Sequence, residues 1–420
     1  MTPESEHSLE ASAAAPVDSP SARPAKLQER ILDLDILRGM ALFGILAANM
    51  RGFSAPMDVY FDIGKFFHGR ADQIAQFVVD VFIQRKFVTL FSFMFGLGFA
   101  AQMARNEARG VRFLGFYPRR LAALAVFGLI HGMAIWAGDI LLTYALAGTM
   151  LLLLRNQNQK FLLRFITIFL AATTLIATVF SVLRVLGLRK PPVPEAMDMA
   201  QVARAVQVYA HGSVAEFFRQ NWHEWVHELQ GLRFAPGALL LFAMGLWVYR
   251  AGIVEHLDQH KAMLKRVCAI ALPIGFVLNL LFTYLIAKYP TVPRPVFPAW
   301  VVNVLSIWAG PVMSLGYASG LAVLLQNPTW RNRLTPFAAV GRTALTNYLA
   351  QSVLCVLFFR LTHLYGVWGP AWDIVPTIVL FSLQIIISNW WLKHFRFGPM
   401  EWVWRGLTYG SWPEMRRVIP

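Results

Sequence analysis

Apolar residues gather into ten stretches along the chain, separated by shorter polar segments. They are Ile36–Phe53, Phe87–Ala104, Leu121–Ala137, Ile140–Leu154, Phe161–Leu188, Pro236–Tyr249, Val267–Ala287, Trp300–Leu325, Phe337–Phe359 and Ile374–Leu392. A helix needs ~20 apolar residues to cross a bilayer, and these stretches approach or reach that length. Residues 74–86 are apolar with a helical period and extend the second stretch as a long or broken helix. Between the fifth and sixth lies Arg189–Ala235, too polar to span; it is expected to hold an amphipathic helix lying over the bundle. Residues 1–29 are rich in Ala, Ser, Pro and Glu. With no apolar run they are expected to form a disordered tail, not a signal peptide. The pattern predicts an all-α, polytopic bundle of about ten transmembrane helices over residues 30–410, with a short tail at 411–420.

Composition agrees: 57% of residues are apolar and only 15% charged. A soluble domain carries about a quarter charged residues, so most of these side chains face something other than water. The formal charge of +15 raises nucleic acid as a partner. Its placement excludes it, because the basic residues sit in short loops, where Lys and Arg set membrane topology. Arg105, Arg109, Arg112, Arg119 and Arg120 follow the second stretch, and Arg155, Lys160 and Arg164 the fourth. Similar groups follow the sixth, eighth and tenth, whereas the alternate loops hold few cations. That alternation puts both termini in the cytoplasm and fits an even number of spans. Cys268 and Cys355 lie inside apolar stretches and read as small buried hydrophobes, with no disulfide framework.

Charged and polar groups inside spans are costly, which makes them candidates for function. In the first stretch Asp35 and Arg38 stand three residues apart and can pair, and Asn49 lies eleven residues on, on the same helical face. Arg85 and Lys86 precede the second stretch, where they can bind an anion or snorkel to headgroups. Gly96 and Gly98 are expected to serve close helix packing. In HGMAIWAGDILLTYAL, His131 has the chemistry of a general base, Asp139 that of its orienting carboxylate, and Trp136 and Tyr144 flank them. Asp139 can instead cap the next helix. In GRTALTNYLAQS, Arg342, Asn347 and Gln351 make a polar stripe, which can line a site or bond to a neighbouring helix. After the last stretch, Glu401 and Arg405 stand one turn apart beside Trp402 and Trp404, as in an interfacial helix. NWHEWVHELQ matches the H-E-x-x-H zinc pattern through His223, Glu224 and His227. No third ligand follows at a familiar spacing, so no metal is expected.

The segments LDLDILRGMALFGILAANM, KFVTLFSFMFGLG, HGMAIWAGDILLTYAL, GRTALTNYLAQS and FRFGPMEWVWRGLTYG, in that order, resemble the YeiB family of bacterial membrane proteins. That family is of unknown function and looks like a branch of the transmembrane acyltransferases, which include polysaccharide O-acetylases and a lysosomal heparan N-acetyltransferase. The resemblance implies a multi-pass protein of the bacterial inner membrane that moves an acyl group from cytoplasmic acyl-CoA to an extracytoplasmic glycan or lipid-linked acceptor. The O-acetylases typically carry an Arg in the first span and a His eleven residues later. Here those positions hold Arg38 and Asn49, so the role of base passes to His131, oriented by Asp139. Arg38 and Arg342 are then expected to meet coenzyme A phosphates, with Asp35, Asn49, Lys86, Trp136, Tyr144, Asn347, Gln351, Glu401 and Arg405 as further substrate contacts. A transporter or lipid-handling protein with a polar central cavity is the alternative. The sequence leaves homo-oligomerisation open.

Overall fold

A computed structural model describes residues 32–60, 63–189, 198–229, 235–289 and 295–417. The expected tail at 1–29 lies outside them. The described chain is helical, with no strand beyond one isolated bridge, Phe395 to Arg416. Six of its helical segments are long and apolar enough to cross a membrane.

Helix α1 (Leu32–Ser54) is the centre of the bundle, with Ile36, Leu42, Leu46 and Met50 fully buried. Helices α2 (Arg70–Phe82) and α3 (Lys86–Glu107) form the broken helix expected from residues 74–86. The break is the turn at Ile83–Arg85, where Arg85 takes a left-handed φ of 68°. Next come α4 (Tyr117–Ala134), α5 (Leu141–Leu154) and α6 (Gln159–Val185). The expected outer segment holds two amphipathic helices, α7 (Met199–His211) and α8 (Val214–Glu228). Asp198 caps α7, and Ser213 and Glu216 form a capping box on α8. The chain continues through α9 (Ala235–Arg250), α10 (Lys261–Lys288) and α11 (Val296–Leu324). It ends with α12 (Pro328–Arg342), α13 (Ala344–Thr362), α14 (Ile374–His394) and the short α15 (Pro399–Tyr409).

One expectation needs correction here. The ninth stretch, Phe337–Phe359, is not one helix: α12 ends at Arg342 and α13 begins at Ala344. The break persists because Glu401 of α15 accepts hydrogen bonds from Leu345 N (2.6 Å) and Thr346 N (3.1 Å), satisfying donors that a new helix start leaves open. After α15 comes the tail, described at 411–417. It folds back along the end of α14 through Arg396 N to Met415 O and Arg417 N to His394 O, both 2.9 Å.

Glycines set the closest helix crossings. A Cβ on Gly96 would stand 2.0 Å from Phe242 O, and one on Gly245 2.2 Å from Phe93 O, so α3 and α9 meet backbone to backbone. Large apolar side chains crowd the outer faces of α6, α10 and α14, among them Ile168, Val277 and Ile386. Apolar surface that extensive belongs against lipid.

Helix α8 lies across the end of α4. The Asn221 amide donates to Gly132 O and Met133 O (both 2.8 Å), covering carbonyls that the end of α4 leaves open. Glu224 points inward, buried, and accepts from Gln220 (3.0 Å). His223 and His227 of the same H-E-x-x-H stretch are exposed. The two histidines thus share a face that the glutamate does not, an arrangement unlike a zinc-protease centre.

Burial of the Glu224 carboxyl pushes it up from the ordinary 4.5 to about 7, against the opposing hydrogen bonds from Gln220 and Tyr209. Below about pH 4.5 it is protonated in both folded and unfolded chains and carries no penalty. Between there and about pH 7 the unfolded chain loses its proton first, so stability falls as pH rises, and above pH 7 the full penalty holds. Thermal unfolding in detergent is expected to give a higher midpoint at pH 5 than at pH 8. Glu224→Gln should flatten that difference, and an unchanged slope in the variant would assign it to other groups.

Candidate functional site

At one end of the bundle a cavity of about 270 Å³ runs inward between α1, α3, α4, α5, α13 and α15. Six arginines line it, Arg38, Arg105, Arg109, Arg120, Arg342 and Arg405, against two carboxylates, Asp35 and Glu401. The inner end is apolar and aromatic: Leu42, Ile45, Phe91, Phe95, Leu124, Ile140, Tyr144 and Tyr348. The cavity therefore has a cationic mouth and an oily interior, complementary to an anionic amphiphile.

Local packing fixes the mouth. Arg38 donates to Asp35 at 3.1 Å, as the three-residue spacing predicted. Its guanidinium lies against α3, where a Cβ on Gly98 would stand 3.0 Å from Nη2. Gly98 thus makes room for an arginine of the mouth, whereas Gly96 serves helix packing. The Arg120 guanidinium sits 3.5 Å over the Trp404 ring, and Trp404 in turn donates to Arg120 O (2.8 Å). Arg405 lies over Phe397 at 4.5 Å. Held on aromatic faces, these cations keep their positions within the mouth.

Just past the inner end sits a buried pair. His131 Nδ1 lies 2.9 Å from Asp139 Oδ1, with the imidazole fully buried. The other Asp139 oxygen accepts from Leu142 N (2.9 Å), so the carboxylate also caps α5. Both roles offered for Asp139 from the sequence coexist. The pairing does not come from a continuous helix: α4 stops at Ala134, and the turn that follows carries Asp139 back beside His131. Gly128 permits this approach, since a Cβ there would stand 2.5 Å from Leu142 N and 2.8 Å from Asp139 Oδ2. An Nδ1–H donated to Asp139 leaves Nε2 as the basic nitrogen. Nε2 is buried and has no hydrogen-bond partner among the described residues.

Of the residues singled out in the sequence, Asp35, Arg38, Tyr144, Arg342, Glu401 and Arg405 line the cavity. Tyr144 is locked there by Ser92 Oγ (2.6 Å) and Val88 O (3.2 Å). Glu401 is at the cavity wall, but its carboxylate is committed to Leu345 N, Thr346 N and Thr346 Oγ1 (2.5 Å). It positions α13 rather than meeting a ligand. The remaining candidates lie elsewhere. Asn49 is half-buried and does not line the cavity. Lys86 is buried and caps α2 through Asp80 O (2.5 Å), neither free for an anion nor snorkelling. Trp136 donates to Gly52 O (3.0 Å) and packs on Phe53 at the far end of α1. Asn347 donates to Thr343 Oγ1 (2.8 Å) and Ser388 Oγ (3.0 Å), and Gln351 to Gln384 Oε1 (2.8 Å). These two fasten α13 to α14, the interhelical role of such a stripe. Sequence reasoning missed Arg105, Arg109 and Arg120 as wall residues, because their density in one loop was read as topology alone.

Comparison with known proteins places this chain in a family. The model of a family described as a protein of unknown function (DUF418) matches residues 248–411. A Bacillus subtilis protein, uncharacterized protein YxaH, is 34% identical over 418 residues, covering 94% of this chain and 98% of its own length. The chain belongs to the YeiB-like DUF418 family. Escherichia coli YeiB itself is 27% identical over 398 residues, 90% of this chain and 96% of its own. An uncharacterized 39.9 kDa protein from the amylase 3′ region of Bacillus acidopullulyticus is 28% identical over 92% of this chain and 96% of its own. No solved structure matches. The DUF418 match takes in Arg342, Tyr348, Glu401, Trp404 and Arg405 but begins after the His131–Asp139 pair.

Proposed function

We propose that this DUF418 protein is a membrane acyltransferase that takes an acyl group from acyl-CoA and delivers it to an acceptor on the far side of the bilayer. One observation carries the reading: a single cavity leads from six arginines to an apolar end that abuts a buried His–Asp pair. In this reading the chain crosses the bacterial inner membrane about ten times, with both termini and the arginine mouth in the cytoplasm. Arginine suits the phosphates of coenzyme A because its fork binds them bidentately. The acyl chain and pantetheine would occupy the apolar interior.

The step balances on His131. Nε2 takes the proton of the acceptor hydroxyl as its oxygen attacks the thioester carbonyl. The C–S bond breaks, and the coenzyme A thiolate leaves and recovers that proton from the imidazolium. Asp139 holds the tautomer that presents Nε2 and stabilises the imidazolium. No step needs another co-reactant.

Binding tests the reading before any acceptor is identified. Purified protein in nanodiscs is expected to bind acetyl-CoA saturably, and binding should weaken as salt rises. Losing one charge-assisted contact costs about 1.5–3 kcal/mol, so Arg342→Ala should lower affinity roughly ten- to hundredfold at nearly unchanged thermal stability. No binding by the unmodified protein would remove the acyltransferase reading and favour a transporter.

A further inference from the structure

One aromatic ring bridges the cavity and the buried pair. Tyr348 lines the inner end of the cavity, and its ring centroid lies 5.2 Å from that of His131. His131 itself has no cavity surface. An acyl group that fills the inner end of the cavity therefore rests against the Tyr348 ring, beside the His131–Asp139 pair. The neighbouring aromatic at this end, Tyr144, is fixed by two hydrogen bonds through its hydroxyl. The Tyr348 hydroxyl, buried beside the Ile140 backbone, has no hydrogen bond of ordinary geometry. Ring and backbone at this position are anchored differently. Leu345 N and Thr346 N, one turn earlier, are tied down by Glu401, and Asn347 next to it is tied to Ser388. The ring is held by packing within the core, while these bonds fix the start of the helix that carries it.

We infer that Tyr348 is a positioning and specificity-determining residue. Its ring bounds the inner end of the cavity beside the His131–Asp139 pair and sets the longest acyl chain that fits there with its thioester carbonyl within reach of Nε2. This rests on the reading that the cavity holds an acyl thioester, and it adds the element that measures the chain. A ring that fills the end of an apolar channel limits burial: each further methylene that fits contributes about fourfold in affinity, and each that does not contributes nothing.

The experiment is a chain-length series, from acetyl-CoA to palmitoyl-CoA, titrated into the full-length protein in nanodiscs. Affinity of the unmodified protein is expected to rise with chain length and then level off. Tyr348→Phe keeps the ring and loses only a hydroxyl with no ordinary hydrogen bond, so it should level off at the same length. Tyr348→Ala and Tyr348→Leu should level off at longer chains, gaining about fourfold for each extra methylene buried. Tyr348→Trp should level off earlier. The pair of enlarging variants guards against a folding defect in either, with thermal midpoints measured in parallel. Saturable binding with the same levelling-off point in the Ala, Leu and Trp variants would overturn the role of Tyr348 and leave the acyltransferase reading standing. Absence of binding across the whole series in the unmodified protein would overturn both.

Discussion

On the acyltransferase function proposed above, His131→Gln is expected to leave a folded, membrane-inserted chain whose acyl transfer has fallen about 10²–10⁴-fold, the usual contribution of a general base. Glutamine keeps much of the size and a hydrogen-bonding group facing Asp139 but takes up no proton near neutral pH. The change therefore separates chemistry from packing. The imidazole is fully buried and bonded to Asp139 at 2.9 Å, so a purely structural role is the competing account. If His131 only bridges the end of α4 to the start of α5, glutamine should serve nearly as well. Asp139→Asn should cost less than His131→Gln, since Asp139 orients the base and does not react. The measurement is release of coenzyme A thiol from acetyl-CoA by membranes carrying matched amounts of each variant, with acetyl-CoA affinity measured alongside. Affinity should hold while turnover falls, because His131 does not line the binding cavity. Full turnover in His131→Gln would end its assignment as base.

Gly341→Val is expected to be the most damaging single substitution near the mouth. A Cβ on Gly341 would stand 1.9 Å from Asp35 O and 2.9 Å from Gly39 N, and one on Gly39 2.1 Å from Phe337 O. The two glycines face each other across the crossing of α1 and α12, and what they meet is backbone, which cannot rotate aside. Overpacking of side chains costs about 1–3 kcal/mol, and a backbone clash belongs at or above the top of that range. The helices must separate there, carrying Asp35 and Arg38 of α1 away from Arg342 of α12 and widening the mouth. Monodisperse yield and thermal midpoint in detergent should both drop sharply. Gly98→Ala is the control: its Cβ would meet only the end of the flexible Arg38 side chain, at 3.0 Å, and should cost far less. A Gly341→Val protein with ordinary yield and midpoint would mean that α1 and α12 do not cross this closely.

Much of the architecture is readable from the chain alone. Stretches such as Val267–Ala287 and Ile374–Leu392 announce helices that fit a bilayer, because span length depends only on consecutive apolar residues. The broken helix at residues 74–86 and the amphipathic character of the outer segment are equally local properties. So is the Asp35–Arg38 pair, fixed by a three-residue helical spacing. What the sequence could not decide is which face of each helix meets which neighbour. Asn347 and Gln351 were recognisable as a polar stripe, but their partners Ser388 and Gln384 lie on another helix, and only the rotation of α14 against α13 assigns them to packing. Arg38 and Asn49 share a predicted face, yet Arg38 alone reaches the cavity. Glu401 read as part of an interfacial helix one turn before Arg405, whereas the fold turns its carboxylate to the start of α13. The arginines after α3 serve as a topological signal in any arrangement of helices. They become one cationic mouth only because Gly39, Gly96, Gly245 and Gly341 let backbones approach closely enough to bring their helix ends together. Contacts along a helix follow from spacing; contacts between helices follow from which surfaces are small enough to touch, and that is settled by all of them packing at once.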